Sequence, residues 1–171
     1  MRILVYGFGV YRDFKENVTE KIIRRLPRRR WLRTIVFPVR FHRGQFLQAV
    51  REHNPDVILG LGQCSKGRKL RIESSAVNQR RNNKSEKPKP IVTGGSPLLV
   101  TNVDLDLAGR ARPSRDAGDY VCNYSMYVIL DYLKRRRSAT RFAFVHVPHD
   151  YDPGTARRIL AKAIASIASA R

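Results

Sequence analysis

Three side chains of this 171-residue chain have the right types for acyl transfer: Cys122, His146 and Glu73. Cys122 follows Ala117-Gly118-Asp119-Tyr120 and opens the longest helical pattern, which puts its sulfur in a first helical turn. Unpaired N–H groups and the positive end of the helix dipole favour a thiolate there. The competing reading is a small buried core residue, the commoner fate of a free cysteine. His146 closes the apolar run Arg141-Phe-Ala-Phe-Val145, at the edge where doubly wound sheets place ligands. A neutral imidazole at that edge can take a thiol proton and return it to a leaving amine, or it is simply a hydrogen-bonded loop histidine. Glu73 is the single carboxylate in a stretch rich in Arg and Lys. It reads as a surface ion pair, or as the carboxylate that orients and charges a histidine.

Two other patterns carry less. Gly7-Phe8-Gly9 lacks the third glycine of a dinucleotide fingerprint, whose place is taken by Arg12. His146 and His149 form an H-x-x-H pair beside Asp150, but no helix and no third ligand accompany them. Neither a metal nor a cofactor is expected.

The elements that must position these residues alternate in type. Residues 2–6 and 33–38 read as strands, and so do 56–60 and 141–145. Pro90-Ile-Val92 and Leu98-Leu-Val100 are shorter strand candidates. Helical spacing covers residues 17–26, the segment around Phe46, Leu47 and Val50, residues 119–137, and residues 155–170. Alternating helices with fully apolar strands predict an α/β fold, a mostly parallel sheet covered on both faces, in one domain spanning 1–171. Residues 79–90 read as a flexible basic loop.

Charge is the chain's most uneven property: 34 Lys+Arg against 14 Asp+Glu give a net +20. The positive residues concentrate at Arg24–Arg33, Arg80–Lys89 and Lys134–Arg137, a helix end, a loop and a helix terminus where cations are well solvated. No zinc-finger spacing, basic-region heptad or aromatic RNA-recognition pair is present, which leaves weak polyanion binding as the expectation. No apolar run approaches the roughly 18–20 residues of a membrane span. Met1–Val10 reads as a first strand rather than a signal peptide, and two cysteines make no disulfide framework. A cytoplasmic protein without membrane attachment is expected.

The blocks around the three residues resemble one family. Asp119-Tyr-Val-Cys122-Asn-Tyr-Ser-Met-Tyr127 is similar to the Tyr-Val-Cys-Asn-x-x-Met-Tyr block of the pyroglutamyl peptidase I family, also called pyrrolidone-carboxylate peptidases. Phe144-Val-His146-Val-Pro148 resembles the family's Phe-Ile-His-Val-Pro block, and His146 follows Cys122 by the family's 24 residues. Gly60-Leu-Gly-Gln63, Ile72-Glu73 and Ala76-Val-Asn78 resemble the segment holding its catalytic glutamate, with Glu73 ten residues after Gln63 as in the family. Asn17 stands where the family has an asparagine opening its first helix, and Gly7-Phe8 in its Gly-Phe loop. The similarity runs from residue 1 to about residue 165.

The resemblance implies an α/β/α sandwich that removes N-terminal pyroglutamyl residues from small peptides, without a cofactor, and that assembles as a homo-oligomer. It implies Cys122 as nucleophile, His146 as base and then acid, Glu73 as the group orienting it, and the Cys122 N–H as an oxyanion donor. Phe8, Tyr11, Gln63, Tyr120 and Val121 match positions around the pyrrolidone ring, with Asn17 beside them. The chain departs from the family at Gly7-Phe-Gly-Val-Tyr11, where the family has Gly-Phe-x-Pro-Phe. It departs again at Ser114-Arg-Asp-Ala-Gly118 in place of Ser-Asn-Ser-Ala-Gly, and in a shorter segment between Asn78 and Gly118. Two alternatives accompany this expectation: a triad hydrolase for another small lactam or N-acyl amide, and a non-catalytic polyanion-binding member of the fold.

Overall fold

Alternate side chains along the inner strands enter two separate apolar layers. Tyr6, Ile58, Phe142 and Phe144 point to one, and Val5, Leu59, Leu61, Ala143 and Val145 to the other. That two-sided burial is what a mostly parallel sheet requires. The computed structural model describes residues 1–11, 14–65 and 67–170, so Arg12 and the argument attached to it lie outside the described residues.

The chain runs β1 (Ile3–Phe8), α1 (Val18–Arg24), β2 (Leu32–Phe37), α2 (Arg43–His53), β3 (Val57–Cys64), β4 (Leu70–Glu73), β5 (Ser75–Val77), β6 (Leu98–Val100), β7 (Ala111–Ser114), α3 (Val121–Arg135), β8 (Arg141–Pro148) and α4 (Pro153–Ser169). The main sheet has the order β2-β1-β3-β8-β4-β7. Its first four strands are mutually parallel, β4 is antiparallel to β8, and β7 is parallel to β4. Helices α2 and α3 cover one face, α1 and α4 the other. The expected α/β class and mostly parallel sheet are therefore present.

The strands depart from the sequence expectation in several places, each for a reason of pairing. β3 and β8 run on past residues 60 and 145 because they stay in register to Cys64↔Pro148, which puts His146 inside a strand rather than after it. Residues 90–92 form no strand. Three of their backbone bonds go to one side chain: Asn78 Oδ1 accepts from Ile91 N and Val92 N, each at 2.9 Å, and Asn78 Nδ2 donates to Val92 O at 2.8 Å. Leu98–Val100 is a strand, but it pairs with β5 in a separate two-stranded sheet. β7 shows no apolar alternation because it is an exposed edge strand, where Pro113 is tolerated. The basic segment 79–90 is a loop closed by the Arg80↔Lys89 bridge and by Glu86 accepting from Asn82 and Asn83.

Candidate active site

One transverse row of the sheet organises the site. Gly62 on β3 is in register with His146 on β8, and His146 in turn with Arg71 on β4. On the other side of β3, Tyr6 pairs with Gly60, and Phe8 stands two residues further along β1. Glu73, two residues after Arg71, projects from the same face of β4.

Helix α3 brings Cys122 down onto this row. Gly118 turns the chain before it with φ of +77°, a conformation suited to glycine, and Asp116 Oδ1 accepts from Gly118 N at 2.9 Å. Cys122 is the second residue of α3, and the N-cap Tyr120 makes no side-chain capping bond. The N-terminal N–H groups thus lack the side-chain acceptor that Ser, Thr or Asp would supply. Two contacts hold this first turn in place. Tyr6 Oη donates to Ser125 Oγ at 3.0 Å, and Ser125 Oγ to the Cys122 carbonyl at 2.8 Å. The Asn123 side chain clasps β5, accepting from Val77 N and donating to Val77 O and Gln79 O, all at 2.9 Å.

Gly62 makes the approach of sulfur and imidazole physically available. A Cβ there would lie 2.7 Å from Cys122 Sγ, 2.8 Å from Phe144 Cζ and 2.9 Å from His146 Cδ2. Sulfur and the Cδ2 atom of the ring therefore both lie within 3 Å of one bare point of the sheet. On the opposite ring edge, His146 Nδ1 lies 2.7 Å from Glu73 Oε1. A carboxylate only accepts, so the pair assigns the proton to Nδ1 and leaves Nε2 as an acceptor beside the sulfur. Glu73 is wholly buried and His146 nearly so. Arg71 Nε stands 3.5 Å from Glu73 Oε1, while Glu73 Oε2 is buried with no hydrogen-bond partner among the described residues.

Burial works against the helix end that favours a Cys122 thiolate. Burial pushes the Cys122 thiol up to about 12, Cys64 and Glu73 add to the rise, and Arg71 only partly opposes it. Desolvation of the anion outweighs the Arg71 cation and favours the thiol. Among the described residues no group of three or more side chains could hold a metal ion. His149 and Asp150 stand exposed, 3.9 Å apart, away from the Glu73–His146 pair.

The sulfur opens into a cleft of about 470 Å³ that includes Phe8, Tyr11, Asn17, Gln63, Tyr120 and Val121, all six positions the resemblance indicated. Tyr11 and Tyr120 face each other at 5.3 Å between ring centroids, and Phe41 meets Tyr120 edge-on at 5.2 Å. Asn17 and Gln63 spend their amides on the wall. Asn17 Oδ1 accepts from Thr19 N and Nδ2 donates to Gly9 O, each at 2.9 Å, while Gln63 Oε1 accepts from Val18 N at 2.8 Å. Sequence reasoning missed Gly62, Asn123 and Arg71. The Gly60-x-Gly62 pair inside an apolar strand was the available signal for a close approach.

The family described as pyroglutamyl peptidase matches residues 1–162 of this chain. A pyrrolidone-carboxylate peptidase of Halalkalibacterium halodurans is 31% identical, the match covering 85% of this chain and 83% of that protein. Pyrrolidone-carboxylate peptidase 1 of Saccharolobus solfataricus is 28% identical over 86% and 79% of the two chains. The fold is that of pyroglutamyl peptidase I from Bacillus amyloliquefaciens, with a TM-score of 0.85 at 20% identity, covering 99% of this chain and 95% of that one. With its sheet order, its cysteine at a helix start and a family match over nearly its whole length, this chain belongs to the pyroglutamyl peptidase family.

Proposed function

We propose that the chain is a cysteine peptidase that hydrolyses the amide after an N-terminal pyroglutamyl residue, with Cys122 as nucleophile, His146 as general base and acid, and Glu73 as its orienting carboxylate. The observation that carries this reading is the buried Glu73–His146 pair, whose Cδ2 edge and the Cys122 sulfur both crowd the bare Gly62 position beneath an uncapped helix start. With burial favouring the neutral thiol, its proton moves to His146 Nε2 as Sγ attacks the pyroglutamyl carbonyl. The carbonyl oxygen takes up negative charge near the first N–H groups of α3. His146 then gives its proton to the departing amine, leaving a thioester, and a water deprotonated by His146 releases pyroglutamate. The neutral lactam needs no charged receptor, and Phe8, Tyr11, Tyr120 and Val121 supply a mainly apolar enclosure for it.

The test is hydrolysis of a pyroglutamyl–fluorophore amide by folded protein in reductant. Turnover above the Cys122→Ser background is expected, with none on prolyl or glutamyl amides; no turnover on any pyroglutamyl substrate would sink the reading. Gly62→Ala should keep the far-UV circular dichroism of the wild type yet lose about a hundredfold in kcat, because its methyl would push sulfur and imidazole apart by the fraction of an ångström on which attack depends. A Gly62→Ala enzyme of wild-type rate would remove the sulfur–imidazole contact from the mechanism. Two cysteines that carry thiols rather than a disulfide support work in a reducing compartment such as the cytoplasm, and the exposed arginines after α1 support weak, salt-sensitive polyanion binding as a secondary property. No described helix is long and apolar enough to cross a membrane.

A further inference from the structure

The order of the strands gives the cleft two unlike ends. Phe8 lies on the β1 side of Cys122, whereas His146 and then Arg71 lie on the β8–β4 side. The acyl group belongs with the aromatics, so the leaving amine points toward His146, which must protonate it. The next position along the row is Arg71. Neighbouring strands stand about 4.8 Å apart, so Arg71 is one strand spacing beyond the proton donor. A substituent on the residue that follows the scissile bond spans that distance.

Arg71 is built to meet an anion there. Its side chain lines the cleft and is 22% exposed. Its Nε is buried toward Glu73 without a hydrogen bond, and neither terminal nitrogen has a hydrogen-bond partner among the described residues. Glu73 already serves His146, so it leaves the outer fork of the guanidinium unused. Two aspartates also border the cleft, but both are engaged: Asp119 pairs with Arg81 at 2.5 Å, and Asp116 accepts from Gly118 N. Lys84 adds a second cation at the exposed mouth.

We propose that Arg71 is a specificity-determining residue that receives a carboxylate carried by the residue immediately after the scissile bond. The preferred substrates are pyroglutamyl peptides with an acidic second residue, or pyroglutamyl dipeptides whose own C-terminal carboxylate occupies that place. The guanidinium fork binds such a group bidentately, and the net +20 of the chain raises the local concentration of anionic peptides. The inference rests on the pyroglutamyl peptidase reading and names its substrate class.

The experiment compares kcat/KM on matched pairs at low and high salt. Pyroglutamyl-Asp-amide is set against pyroglutamyl-Asn-amide, and free pyroglutamyl-Ala against its amide, which separates the side-chain from the terminal carboxylate. Wild type should favour at least one acidic member about tenfold at low salt, the advantage shrinking with added salt. Arg71→Gln should bring that ratio close to one, and Arg71→Lys should restore part of it. A residue that merely balances the charge of Glu73 would scale both members of a pair alike and leave the ratio unchanged. Equal rates on both pairs in the wild type, or a ratio that survives Arg71→Gln, would overturn the carboxylate receptor while leaving pyroglutamyl hydrolysis standing. Absence of turnover on all four substrates and on the fluorogenic amide would overturn both.

Discussion

Cys122→Ser is expected to hydrolyse pyroglutamyl amides roughly 10⁵-fold more slowly than wild type, with an unchanged melting temperature. The exchange replaces sulfur by a smaller atom of the same valence in the first turn of α3, so packing is preserved. The chemistry is not, because a hydroxyl gives up its proton to His146 far less readily than a thiol does. The state of that thiol is separately measurable. Burial holds it at about 12, so the thiolate fraction below that value grows as pH rises. Carboxamidomethylation of Cys122 in the unliganded protein should therefore accelerate about tenfold per pH unit from pH 7 to pH 10. A rate already level at pH 7 would mean a resting thiolate, and the proton transfer would then precede substrate binding. Peptide mass mapping after the reaction distinguishes Cys122 from Cys64, which borders the same cleft.

Glu73→Gln should lower kcat by roughly 10³-fold and leave KM within a few-fold of wild type. Glu73 does not line the cleft, and in the proposed mechanism it acts through His146. As a carboxylate it only accepts from Nδ1, which fixes the tautomer with Nε2 free, and its charge stabilises the imidazolium formed during attack. Glutamine can present either its oxygen or its NH₂ to Nδ1, and carries no charge in either orientation. Glu73→Ala adds a structural cost, because the buried Nδ1 and the Arg71 Nε both lose their anionic neighbour. A loss of about 3 kcal/mol in stability is expected, readable by denaturant titration. A Glu73→Gln enzyme within tenfold of wild type would assign the orientation of His146 to its neighbours on β3 and β4 instead.

Local pattern and long-range pairing explain what could be read in advance. The apolar faces of α3, β1 and β8 belong to single segments, so periodicity alone located them. β4 and β7 are defined by partners far along the chain: β7 has no apolar alternation of its own, and the alternation of Leu70-Arg-Ile-Glu73 is only four residues long, too short to stand out. The same distinction runs through the site. Cys122 at a helix start was legible locally. The pairing of Glu73 with His146, 73 residues apart, rested on the family resemblance until the sheet brought them to 2.7 Å. Arg71 stayed hidden because nothing in Leu70-Arg-Ile-Glu73 says that its neighbour across the sheet is a histidine. The thiol's high pKa was equally hidden, since it depends on how closely α3 settles over Gly62.

The insertion of β8 between β3 and β4 also has a bearing on how the protein comes into being. Until residue 148 has emerged from the ribosome, β3 and β4 have no shared neighbour, and their inner edges remain open to other chains. The last central strand to be synthesised is the one that carries His146. A nascent chain therefore holds Cys122 before His146, and, on the proposed mechanism, peptidase competence arrives in one step, late, with the closing of the sheet. Pairings of such sequence separation fold slowly, so this is also the interval in which chaperone contact and aggregation compete with maturation.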